Sequence, residues 1–210
     1  MPLFAIRNDG STDFFFFVFI VMLAPCVFIL KYLSMRETKD AWMHFANATN
    51  LASEPSSGNF ITLGGTYRNF LVVVNTMTKG SGKSRRRYTQ LTVNLHQRGQ
   101  LTTTISEKSK EGTISSIEKR LGYNDPTEFQ VGVPSLDSRF VIKGTPAAQV
   151  LLLLNEKGIG EKLLKLSSVF MTVKDQKVIL EHPTFVTEIR YLRLLLDTVV
   201  DTAEAVDQIH

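Results

Sequence analysis

The apolar positions of this chain change their spacing along its length, and each spacing predicts a different kind of element. Residues 14–30 (FFFFVFIVMLAPCVFIL) are apolar and carry no charge. As a helix they would cover about 25 Å at 1.5 Å per residue, close to the roughly 30 Å of a bilayer's hydrocarbon core. Lys31 can snorkel, and Tyr32 and Leu33 extend the apolar surface. The pattern predicts a transmembrane helix over 14–33 behind a tail over 1–13. A buried helix of a globular core is rarely apolar on every side for this length. A cleaved signal peptide needs a positive start and a small-residue cleavage site. Here Arg7 is offset by Asp9 and Asp13, and no A-x-A follows. A lipoprotein cysteine would end the apolar run, but Val27–Leu30 continue it past Cys26.

Beyond Leu33 the apolar spacing becomes helical. Trp42, Phe45, Ala46 and Thr49 share one face of a helix over 38–49, inside a juxtamembrane segment over 34–52. A domain over 53–210 follows, opening on the loop Ser53–Asn59. Strands are predicted at Phe60–Leu63, broken by Gly64-Gly65, and at Tyr67–Thr76. Tyr88–Leu95 alternates, with Leu91, Val93 and Leu95 on one face and Gln90, Thr92 and Asn94 on the other. Leu101–Ile105, Phe129–Val133 and Arg139–Lys143 read as further strands, with a short helix at Ile114–Leu121 and a turn at Asn124-Asp125-Pro126. Thr145-Pro146 starts a buried helix over Ala147–Glu156, Gly158 stops it, and a short helix over Glu161–Leu166 follows. Val169–Val173 and Lys177–Glu181 have hairpin spacing around Lys174-Asp175-Gln176. Phe185–Val206 is the longest helix of the domain. Its apolar residues, Ile189, Leu192, Leu196 and Val199 among them, alternate by four and three, a register that suits packing on the domain's own sheet or a partner seam. The expected fold class is α+β: a transmembrane helix, then a soluble domain of antiparallel strands with packed helices and a long C-terminal helix.

Charge adds orientation. Arg7 is the single Lys or Arg before the apolar run, whereas Lys31, Arg36 and Lys39 follow it closely, which places the domain on the cytoplasmic side of a cell membrane. A composition of 43% hydrophobic and 21% charged residues suits a folded domain, and the net charge of +4 permits anionic partners without demanding them. With one cysteine, an intrachain disulfide and a CxxC zinc site are excluded.

Candidate chemistry is sparse. Gly80-Ser81-Gly82-Lys83-Ser84 resembles the end of a phosphate loop, but Met77 stands where that motif needs glycine, and a strand follows where it needs a helix. The same loop holds the densest cationic cluster, Lys79, Lys83, Arg85, Arg86 and Arg87, which suits an anionic lipid surface or a protein contact. No aromatic platform or reading helix accompanies it, so nucleic acid is not expected. His44, His96, His182 and His210 are scattered without metal-ligand spacing, and no G-x-S-x-G elbow is present. Asp125, Glu128 and Asp137 lie near turns, where carboxylates cap backbone groups. No catalytic residue, metal or cofactor is expected.

The order of elements resembles that of uncharacterised membrane-anchored α+β domains of bacteria. It is carried by Ala41-Trp42…Phe45-Ala46, Gly65-Thr66-Tyr67-Arg68, Leu136-Asp137-Ser138-Arg139-Phe140-Val141-Ile142 and the final long helix. The resemblance implies an α+β domain and no activity. The function expected is therefore a single-pass membrane-anchored protein with a non-enzymatic interaction or assembly domain. Its partners would be the bilayer and a membrane or cytoplasmic protein, or a second copy. The alternatives are an anionic-lipid sensor acting through residues 79–87, or an enzyme or small-molecule binder with a cryptic site.

Overall fold

The computed structural model describes residues 36–54, 61–97, 99–108 and 130–209. The chain divides into two compact units, Met1–Asp40 and Ala41–His210. In the first, residues 36–40 are described and helical. The second begins with helical residues 41–49 (α1). It continues with β1 (Ala52–Glu54), β2 (Thr62–Tyr67), β3 (Phe70–Lys79), β4 (Arg86–Asn94) and β5 (Thr102–Glu107). Then come α2 (Pro134–Arg139), β6 (Phe140–Thr145), α3 (Ala147–Asn155), α4 (Ile159–Lys165), β7 (Phe170–Lys174), β8 (Lys177–His182) and α5 (Ile189–Gln208).

The strands form one eight-stranded sheet in the order β1-β2-β3-β4-β8-β7-β5-β6. Every neighbouring pair is antiparallel. Two hairpins have tight turns with both central residues left-handed, Arg68-Asn69 (φ 50° and 69°) and Asp175-Gln176 (φ 51° and 61°). That backbone matches the twist of the flanking strands. The first turn corrects the expectation of a single strand over Tyr67–Thr76. The expected break at Gly64-Gly65 is also corrected, because β2 runs through both glycines. Residues 130–133 are not strand, and α2 occupies the stretch before β6.

One face of the sheet is apolar. Val72, Val74, Leu91, Val93, Leu180 and Met171 are buried there. α5 lies over β4 and β8, and α3 over β6. Thr202 of α5 donates to the sulfur of Met171 at 3.7 Å. Gly144 lets α3 approach β6, since a Cβ there would come within 2.8 Å of Val150 Cγ2. Trp42 anchors α1: its Nε1 donates to the Val186 carbonyl at 2.9 Å, and its ring stacks on Phe185 at 5.6 Å. Thr89 holds the same segment, accepting from Val186 N at 3.0 Å and donating to the Thr184 carbonyl at 3.0 Å.

The expected fold class needs a second correction. No helix among the described residues is long and apolar enough to cross a membrane, so they give the transmembrane, single-pass and signal-anchor description no support. The longest described helix shows why. α5 has 20 residues, enough length to span, but it carries Arg190, Arg193, Asp197, Asp201, Glu204 and Asp207. Its apolar side is spent on the chain's own core. The expected segment over 14–33, most of the loop Ser53–Asn59, the helix Ile114–Leu121, the turn at Asn124-Asp125-Pro126 and the residues Phe129, Asp125 and Glu128 lie outside the described residues.

Candidate functional site

Side chains alternate across a strand, so the register also defines the sheet's second face. One row across it reads Val73, Thr92, Ile179, Thr172, Thr104, Lys143. The next reads Asn75, Gln90, Glu181, Phe170, Ser106, Val141. Over β3, β4 and β8 this face is open: Leu71 is 53% exposed, and Val73, Thr92 and Ile179 are half-buried. Over β7 and β5 it is closed, with Thr104, Thr172, Ser106 and Phe170 buried.

A polar knot divides the two halves. Glu181 accepts from Lys79 Nζ at 2.5 Å on one carboxylate oxygen and from Gln90 Nε2 at 2.9 Å on the other. Lys79 also lies over the Tyr88 ring, 5.2 Å from its centroid. Around this knot four side-chain oxygens, Asn75 Oδ1, Thr104 Oγ1, Ser106 Oγ and Thr172 Oγ1, are buried without a hydrogen-bond partner. Buried polar groups in native folds are rarely left so. Sequence reasoning missed all four. The available signal was β5 itself (TTTISE), whose hydroxyl residues fall on both faces of one short strand.

The expected basic cluster is split. Lys79 is committed to Glu181, Gly82–Ser84 form a single helical turn that includes Lys83, and Arg85, Arg86 and Arg87 are exposed. The partner-seam residues are placed inward: Leu192, Leu196 and Val199 are fully buried in the chain's own core, and Ile189 is 36% exposed.

The carboxylates of α5 form a stripe that ties the helix down. Asp201 pairs with Arg68 at 2.9 Å and with Lys162; Glu204 pairs with Arg68 at 2.8 Å and with Lys157. Tyr67 donates to Asp197 at 2.8 Å. Asp137 accepts from the backbone N–H groups of Val131 and Gly132 at 2.7 and 2.9 Å. The bonds of Asp197, Asp201 and Glu204 join the β2–β3 hairpin, α4 and the turn before it to α5, whereas those of Asp137 stay within the segment that leads into α2. Among the described residues no group of His, Cys, Asp and Glu is arranged to hold a metal ion.

His96 closes the same side. Nδ1 lies 2.8 Å from Asp207 Oδ2, Nε2 lies 3.0 Å from the Asn69 carbonyl, and the ring tilts against Phe70 at 4.5 Å. Both nitrogens face acceptors, and an imidazole donates at both only when protonated. The Asp207 hydrogen bond, then the Asn69 carbonyl, raise the His96 pKa above its ordinary value. The clasp's contribution to stability is therefore complete below the unfolded histidine's pKa and is lost as pH rises through the folded one. Thermal midpoints of the native chain and His96→Gln should differ at acidic pH and converge at alkaline pH. A constant difference would show that the charge of His96 plays no part. His182 behaves oppositely: burial holds its pKa down, and its ring meets Tyr191 edge-on at 5.4 Å.

No family model and no curated protein matches the chain. Among solved structures it is similar to the crystal structure of the mycobacterial trehalose monomycolate transport factor A, TtfA. The TM-score is 0.50 at 11% sequence identity, over 83% of this chain and 93% of that one. At that identity the likeness is one of fold.

Proposed function

We propose that Ala41–His210 is a non-enzymatic interaction and assembly domain that takes a protein partner on the open half of the second sheet face. The observation that carries this reading is Leu71, 53% exposed near the start of a ten-residue strand, with Val73 next along the same face and Ile179 two strands away. A half-open face with exposed apolar groups and neutral hydrogen-bonding neighbours (Thr92, Asn94, Gln90) has the composition of a binding surface rather than of a catalytic one. The carboxylates that could do acid–base work are occupied in joining elements: Asp137 in a turn, Asp201 and Glu204 in ion pairs, Glu181 in the knot. The other strongly exposed leucine among the described residues, Leu152, stands on α3 at 54% exposure and serves as the control.

A photo-crosslinking residue placed at position 71 should capture one recurrent partner, or a second copy, from intact cells, and the same residue at position 152 should not. Leu71→Glu, which keeps the fold because the site is exposed, should weaken recovery about tenfold or more, the scale of a central interface residue. Equal capture at both positions, or recovery unchanged by Leu71→Glu, would move the interface elsewhere.

A further inference from the structure

The closed half of the same face holds a constellation that the docking of a protein at Leu71 does not use. Thr104 and Thr172 stand directly opposite each other on β5 and β7, and Ser106 follows Thr104 on the same face. Thr104 and Thr172 are each 2% exposed and Ser106 is 3% exposed. None of their hydroxyls has a hydrogen-bond partner. Burying a hydroxyl unpaired is destabilising, so three such groups side by side invite a binding role as their explanation. Two lysines flank them. Lys143 is the other cross-strand neighbour of Thr104, and Lys174 lies two residues beyond Thr172 on the same face. Each lysine also engages a further group, and the strand register sets each beside the hydroxyl-bearing positions. The carboxylate of the adjoining row, Glu181, is paired with the Lys79 ammonium and accepts a hydrogen bond from the neutral Gln90 amide.

Hydroxyls can donate or accept, and the flanking charge decides which is asked of them. Two ammonium groups favour a ligand that accepts, and charge-assisted O–H···O⁻ bonds are among the stronger ones. We propose that Thr104, Thr172 and Ser106, flanked by Lys143 and Lys174, form a binding site for an oxyanion, the carboxylate or phosphate group of a ligand. The site lies on β7, β5 and β6, so it stands or falls independently of the surface around Leu71. It also makes an unusual demand on its own variants. A valine has the shape of threonine without the hydroxyl, so valine at 104 and 172 removes unpaired buried groups and raises the stability of the ligand-free chain while removing the ligand's donors.

The test is a thermal-shift and direct-binding titration of the full chain with inorganic phosphate and, separately, with acetate, each against chloride at matched ionic strength. The native chain should be stabilised by at least one of the two anions and not by chloride. A response to phosphate alone assigns a phosphoryl ligand, and a response to acetate assigns a carboxylate. Thr104→Val/Thr172→Val should melt higher than the native chain without anion, and should bind the active anion at least tenfold more weakly. Thr104→Ser, which keeps the hydroxyl, should retain binding. No stabilisation by either anion, or the same shift in the valine variant as in the native chain, would overturn the proposal.

Discussion

Replacing Leu192 and Leu196 together by aspartate abolishes the cooperative unfolding transition of the domain. Both leucines are fully buried, between α5 and the apolar face of the sheet. Removing one buried leucine side chain costs roughly 2–5 kcal/mol, through lost transfer energy and the space left behind. An aspartate in that place must also be buried unpaired or take up a proton, and either course adds several kcal/mol. Two such sites together reach or exceed the roughly 5–15 kcal/mol that holds a domain of this size folded. Arg190→Asp, an exposed change on the same helix, should move the transition by less than about 1 kcal/mol. Circular dichroism against denaturant distinguishes the cases. A double variant that unfolds at the native midpoint would mean that this stripe packs on a partner and not on the chain's own sheet.

Trp42→Ala lowers stability by about 3–5 kcal/mol, the range for deleting a large buried aromatic side chain. Trp42 is fully buried and fastens α1 to the segment before α5 through one hydrogen bond and one ring stack. Trp42→Phe separates the two contributions. It retains most of the apolar bulk and the stack on Phe185 but leaves the Val186 carbonyl without its donor, for a cost of about 1–3 kcal/mol. Trp42 is the chain's one tryptophan, so its fluorescence follows unfolding of the native chain, and circular dichroism must follow the variants. An unchanged midpoint for Trp42→Ala would show that α1 contributes nothing to the core.

The elements with a clear period could be read from the residues. Trp42, Phe45, Ala46 and Thr49 are the buried face of α1, and Leu91 and Val93 are buried on β4 together with Thr89. The hairpin around Asp175-Gln176 and the long final helix were legible for the same reason: backbone geometry sets the period of side chains on a helix or strand, and the period shows in any short window. The turn at Arg68-Asn69 was hidden because only these two polar residues interrupt the run, whereas four, Lys174-Asp175-Gln176-Lys177, mark the other hairpin. α2 was hidden because a six-residue helix shows too little of its period to be distinguished from a strand. The membrane reading rested on the length, hydropathy and flanking charge of residues 14–33, which lie outside the described residues, and no described helix supports it.

The tertiary structure alone decided which strands meet. β4 and β5 are consecutive along the chain, yet the β7–β8 hairpin lies between them in the sheet. That insertion aligns Thr172 with Thr104 and brings Glu181 to Gln90 and Lys79. It also decided that the polar residues of β5 and β7 would be buried while those of β4 stayed half-open. Local sequence thus determined the helices, the strands and their apolar sides, because those follow from the geometry of a few adjacent residues. Strand order, the ion pairs of α5 and the unpaired hydroxyls depend on contacts between residues far apart in the chain, and no local period encodes which distant partner a side chain will face.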